Sequence, residues 1–184
     1  MHRYLPLLSL VLAPAVVLVN GCKDDPPAPA SAPSASVAPP KLQAGFGLGL
    51  RVPYPEPYRF TVATSNPSLH QLTIAHEKSP GVVAIHFNPQ QPSAPIDLQS
   101  VAESTRLTMD PNGIIQPSTV KVGDQSYEAR AVKSSSLGLV PITDVIAVVP
   151  IGARNYVVIL HSADDDVLES SRMFAVVLGG LRAE

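Results

Sequence analysis

Ile142-Thr143-Asp144-Val145-Ile146-Ala147-Val148-Val149-Pro150-Ile151-Gly152-Ala153-Arg154-Asn155-Tyr156-Val157-Val158-Ile159-Leu160-His161 is the most β-like stretch of the chain. Two runs, 142–149 and 155–161, are dense in β-branched residues, and Pro150-Ile151-Gly152-Ala153 joins them. A connection this short predicts that the runs pair antiparallel. Both faces of each run are largely apolar, which predicts a sheet covered on both sides.

Outward from this pair the chain keeps returning to strands. Upstream, 118–122 and 125–132 flank Gly123-Asp124 and predict a hairpin, although Asp-Gly or Asn-Gly is the stronger order for such a turn. Residues 58–64 alternate, with Tyr58, Phe60 and Val62 on one face, and 69–77 alternate again with His70, Leu72, Ile74 and His76 together. Residues 82–88 form a β-rich run that reads as a more central strand. Residues 45–52 predict a first strand, and Pro53, Pro55 and Pro57 punctuate the chain directly after it.

Two segments carry helical spacing. Leu98, Val101, Ala102, Thr105 and Met109 predict a helix that stops before Asp110-Pro111-Asn112-Gly113. Asp97 is its expected N-cap, with Ile96 and Val101 as a hydrophobic staple. A terminal helix is expected over 164–182, capped by Ser162 or Asp164, with Asp165, Asp166 and Glu169 favouring its positive end. Its expected apolar stripe is Val167, Leu168, Phe174, Leu178 and Leu181. Strands with two helices predict an α+β domain over 45–184, an antiparallel sheet with helices packed on it.

The N-terminal part is of another kind. Arg3 precedes an apolar run over residues 5–19, broken by Pro6 and Pro14, and small Gly21 comes after it. This is the three-part pattern of a secretory signal over 1–21. The run falls short of the roughly 20 residues a membrane-spanning helix needs. Gly21-Cys22 resembles a bacterial lipobox, usually Leu, then Ala or Ser, then Gly or Ala, then Cys; Val19 and Asn20 depart from it. The resemblance implies that Cys22 carries diacylglycerol and becomes the mature N-terminus, so that the chain is held on the membrane by lipid. Two or more acyl chains make such an anchor stable where one is marginal. The alternative is a free thiol. Residues 22–44 form a Pro/Ala-rich segment expected to be a disordered tether, of polyproline II character. A proline-motif ligand is the other reading. Lys23 after the Cys, in place of Asp, favours the outer over the inner membrane under the enteric sorting rule.

The 184 residues carry a formal charge of −2, without a basic face for nucleic acid. The single cysteine permits no disulfide within the chain, so the fold must stand on its core. A domain of this length buries enough surface for that.

Tyr58-Arg59-Phe60, the helix from Asp97 to Met109, the hairpin Val120-Lys121-Val122-Gly123-Asp124-Gln125-Ser126-Tyr127 and the closing strand 155–160 with its helix come in the order of the PsbP-like/DcrB-like family, which this chain resembles over about 50–184. The usual aromatic, often Trp, before the first core strand is absent. The resemblance implies an α/β/α sandwich and a non-catalytic binding or assembly role in the bacterial envelope, with an envelope protein as partner. It assigns no ligand residue.

Chemical motifs are sparse. His70 and His76 lie about 20 Å apart on one strand and cannot share an ion. His86 and His161 can meet either of them only through the fold. Asp164-Asp165-Asp166 lacks the alternating ligands and distal Glu of a calcium loop, and a helix start explains it. Gly45-Phe46-Gly47-Leu48-Gly49 has no preceding strand or following helix, as a phosphate loop requires. Ser134, Ser135 and Ser136 lack a nucleophile elbow. No enzyme, cofactor or metal is therefore expected. A small-ligand or metal site between sheet and helix is the alternative, an envelope hydrolase a more distant one. Loops 89–95 and 134–138 are the expected partner surfaces.

Overall fold

The computed structural model describes residues 40–134 and 140–184. The signal at 1–21, Cys22, nearly all of the expected tether, and residues 135–138 of the 134–138 loop lie outside the described residues. Within them the order is β1 (Leu42–Gly47), β2 (Leu50–Pro55), β3 (Arg59–Ala63), β4 (His70–His76), β5 (Ser79–Phe87), α1 (Leu98–Met109), β6 (Ile114–Val122), β7 (Gln125–Ser134), β8 (Ile142–Ile151), β9 (Arg154–Ala163), a 3₁₀ turn (Asp164–Asp166), α2 (Val167–Gly179) and β10 (Arg182–Ala183).

Seven strands form one sheet in the order β3-β4-β5-β9-β8-β7-β6. Every neighbouring pair in it is antiparallel. The β8–β9 pair sits near its centre, with Ile146 opposite Ile159 and Val149 opposite Tyr156. Alternate residues of these strands serve two cores. Tyr156, Val158, Leu160, Ala147 and Val149 join Leu72, Ile74, Val83 and Ile85 beneath Met173, Val177 and Leu178 of α2. Val157 and Ile146 point the other way, with Val132 and Ala102 of α1. The apolar character of both faces is thus used by one helix on each. α1 lies over β6, β7 and β8, whereas α2 meets β2, β5, β6 and β9.

The structure corrects several expectations. Residues 45–52 are not one strand but the turn region of a hairpin. β1 opens at Leu42, the chain reverses at Leu48-Gly49, both with positive φ, and β2 runs on through Pro53 to Pro55. The phosphate-loop-like glycines are therefore hairpin residues. Gly123 and Gly152 each take positive φ while the residue after each does not. That is the requirement of a type II′ turn, which places Gly first. The Gly-Asp order is the right one for this turn.

The terminal helix is shorter than expected. β9 stays extended to Ala163, because Ile142 and Thr143 of β8 still pair with Ala163 and Ser162. A 3₁₀ turn then intervenes, Ala163 and Asp166 rather than Ser162 or Asp164 stand at the N-cap positions, neither with a side-chain capping bond, and α2 ends at Gly179. Arg182 and Ala183 leave the helix path and pair with Arg51 and Leu50 of β2. The apolar stripe is rotated: Ser170, Met173, Val177, Leu178 and Leu181 are buried, but Val167 and Leu168 are exposed.

Candidate functional site

α1 is the element that shapes the site. Asp97 Oδ1 accepts from the Gln99 N–H at 3.0 Å, so the helix begins where its capping residue dictates. Leu98 and Val101 then pack, with Ile96, against the cluster around Ile146 and Val157. The helix rests chiefly on β6–β8, reaches Val157 of β9, and so leaves the same face of β5 and the rest of β9 beside it less covered. The result is a crevice of about 480 Å³ between α1 and the sheet, lined by Ser100, Val101, Ser104, Thr105, Thr108 and Met109 from the helix and His86, Asp144 and Ile159 from the strands.

Asp144 of this lining is paired with His161, which stands next to it outside the lining. The register puts them directly opposite each other on β8 and β9. His161 Nδ1 lies 2.6 Å from Asp144 Oδ1, with the carboxylate 7% exposed and the imidazole 33%. A carboxylate so far from water needs a partner of this kind. The hydrogen bond to Asp144 raises the His161 pKa above its ordinary value, outweighing burial, which acts the other way. His86 is also half-buried, and desolvation lowers its pKa.

The histidines do not converge. His161 is opposite Val82, and His86 is opposite Val157. Four positions along β5 separate them, about 13 Å. His76 packs against the Tyr58 ring at 5.5 Å, and His70 is opposite Phe87 at the other end of β4. Among the described residues no three His, Cys, Asp or Glu side chains are grouped to hold a metal ion. Asp164 accepts from the Thr143 hydroxyl at 3.3 Å and Asp166 from the Ser79 hydroxyl at 2.8 Å. Ser79 also accepts from Tyr58 OH, so the acidic turn serves to tie α2 to β5. Ser134 hydrogen-bonds Asp110. Asp144–His161 has the form of a general base and its orienting carboxylate, but among the described residues the only side chain hydrogen-bonded to His161 is Asp144.

Of the expected partner loops, 89–95 is tied down. Asn155 donates from Nδ2 to the Ala94 carbonyl at 3.0 Å, and its backbone N–H donates to Pro92. The Asp144–His161 pair is not apparent from the sequence pattern, though both residues stand in the two most β-like runs. Its signal is the register: a Gly152-Ala153 turn pairs position 144 with 161.

No family model matches the chain, and no curated protein matches it in sequence. Among solved structures, cyanobacterial PsbP (CyanoP) from Synechocystis sp. PCC 6803 is similar at 12% identity and a TM-score of 0.49, over 81% of this chain and 96% of that one. LpqN of Mycobacterium tuberculosis, described as involved in cell envelope biogenesis, is similar at 14% identity and a TM-score of 0.38, over 77% and 90%.

Proposed function

We propose that this chain is a lipid-anchored protein of the bacterial cell envelope whose folded part is a non-catalytic binding or assembly module. The apolar run before Gly21-Cys22 and the Pro/Ala-rich tether behind it support the anchor. Lys23 supports the outer membrane over the inner. The order of strands and helices supports a place among the PsbP-like/DcrB-like α/β/α sandwich proteins.

The crevice beside α1 is the observation that carries the binding role, because it is a concave surface already formed between two rigid elements. The same observation favours a second reading, a small-molecule ligand, since its volume falls within the range of about 300–1,000 Å³ typical of such sites. The lining sets helix hydroxyls against His86, Asp144 and Ile159 of the strands, and among the described residues no three possible metal ligands are grouped, so a small polar ligand suits it better than a metal ion.

The first test is acyl labelling with membrane fractionation of the wild type and Cys22→Ser. Label and membrane attachment lost together in the variant support the anchor; an unlabelled, soluble wild type removes it. Photo-crosslinking from position 104, compared with position 168 on α2, tests the crevice. A product specific to position 104 supports binding there, and equal labelling from both positions counts against it.

A further inference from the structure

The β1–β2 hairpin carries a surface that neither core nor crevice uses. A Cβ on Gly45 would meet the Phe60 ring, and one on Gly47 would meet Val62. The odd positions of β1 therefore face the large sheet. Strand alternation turns Leu42, Ala44 and Phe46 outwards. Leu42 is 56% exposed and Phe46 55%. On the outer face of this small sheet more than half of each of these large apolar side chains stays in water.

The register adds charge to the same face. Phe46 is opposite Arg51, whose guanidinium lies 5.9 Å from the ring centroid. On its other side Arg51 is opposite Arg182 of β10. Like charges directly opposite each other destabilise a sheet pair. Among the described residues neither arginine makes an ion pair with a carboxylate. Lys41 is matched by Glu56 at 3.5 Å, and Glu184 lies two residues beyond Arg182 in the chain. Two arginines at directly opposite strand positions, beside exposed Leu and Phe, fit a surface that is anionic at its boundary and apolar beneath.

Position in the chain says which surface. Leu42 comes directly after the segment that leads back to Cys22, so this face is the part of the domain joined most closely to the proposed anchor. We infer that the outer face of the β1–β2 hairpin, through Leu42, Phe46, Arg51 and Arg182, docks the domain on an anionic phospholipid surface. The inference rests on the lipid-anchor reading for its biological setting, but the contact itself does not need the lipid. A tether raises the local concentration of membrane, so a weak patch suffices to orient the domain.

The experiment uses the mature chain, residues 22–184, as Cys22→Ser, which has neither the apolar signal run nor an acyl group, in flotation with phosphatidylcholine vesicles with and without phosphatidylglycerol. Binding is expected only with phosphatidylglycerol. Arg51→Gln and Arg182→Gln each weaken it about fivefold, and Leu42→Ser with Phe46→Ser weakens it roughly tenfold. Leu107→Ser, on the exposed side of α1, leaves it unchanged, and no variant melts below the parent. No flotation with phosphatidylglycerol, or flotation indifferent to Leu42 and Phe46, overturns the inference. So does a sedimentation shift showing that the face pairs two copies of the chain instead. Acyl labelling of the wild type reads the anchor separately, so either idea can fail without the other.

Discussion

Asp144 and His161 show how much one residue pair depends on its register. A buried carboxylate beside a half-buried imidazole holds the proton on the ring, and this raises the His161 pKa. A raised histidine contributes stability that is fully present below its unfolded pKa of about 6.5 and is lost as pH rises through the folded value. Asp144→Asn removes that contribution. Its destabilisation, read from urea melts, is expected to be larger at about pH 5.5 than at about pH 9. His86 works in the opposite sense, because burial lowers its pKa and the unfolded chain then takes up its proton first as pH falls. The difference between wild type and Asp144→Asn cancels that contribution. A difference that does not change with pH would mean that the ring carries no extra proton in the fold.

The contact of α2 with β5 explains why an element can be found in the sequence while its orientation is missed. The helix approaches the strand at Gly81, where an added Cβ would stand 2.5 Å from Ser170 Oγ. A serine at the centre of the buried stripe breaks the apolar pattern, so Val167 and Leu168 look like core from sequence yet face solvent. Ser170 Oγ is buried without a hydrogen-bond partner among the described residues. Ser170→Ala keeps the small volume that Gly81 requires and removes an unpaired hydroxyl. It is expected to stabilise the fold by about 1 kcal/mol in chemical denaturation; a loss of stability would show that the hydroxyl has a partner. At the other end of α2, the Gly123 N–H of the β6–β7 turn donates to the Leu178 carbonyl at 3.0 Å. The hairpin turn thus satisfies a helix end that its own sequence leaves open.

At the scale of the molecule, the small sheet β1-β2-β10 is held to the large one by few bonds. Tyr156 OH donates to the Leu48 carbonyl at 2.8 Å, and Arg154 Nη1 donates to the same oxygen at 2.9 Å. Leu48 has a φ of 58°, a conformation that side-chain-bearing residues seldom adopt, so these donors fasten a turn with little preference of its own. Tyr156→Phe is expected to cost about 1 kcal/mol. It is also expected to speed amide exchange in β1 and β2 more than in β8 and β9. Uniform acceleration throughout the sheet would instead show that the hairpin and the large sheet open together.

The local chemistry of the chain determined most of its elements. Period-two alternation marked β3 and β4, a β-rich run marked β5 from Val82 onward, the two Gly-first turns marked their hairpins, and Asp97 with its staple marked α1, because strand faces, turn geometry and caps depend on neighbours within a few residues. The doubled apolar faces of 142–161 likewise determined that helices would cover both sides. The tertiary structure alone decided the rest. Arg182 became a strand because β2 offered an unpaired edge, and α2 turned about its axis because Gly81 admits Ser170. The crevice exists because α1 rests chiefly on β6–β8 and leaves β5 and most of β9 less covered. Asp144 met His161, and Arg51 met Arg182, through pairings between residues far apart in the chain. Such contacts depend on which strand edge and which face remain free after the sheet has closed, and no window of sequence contains that information.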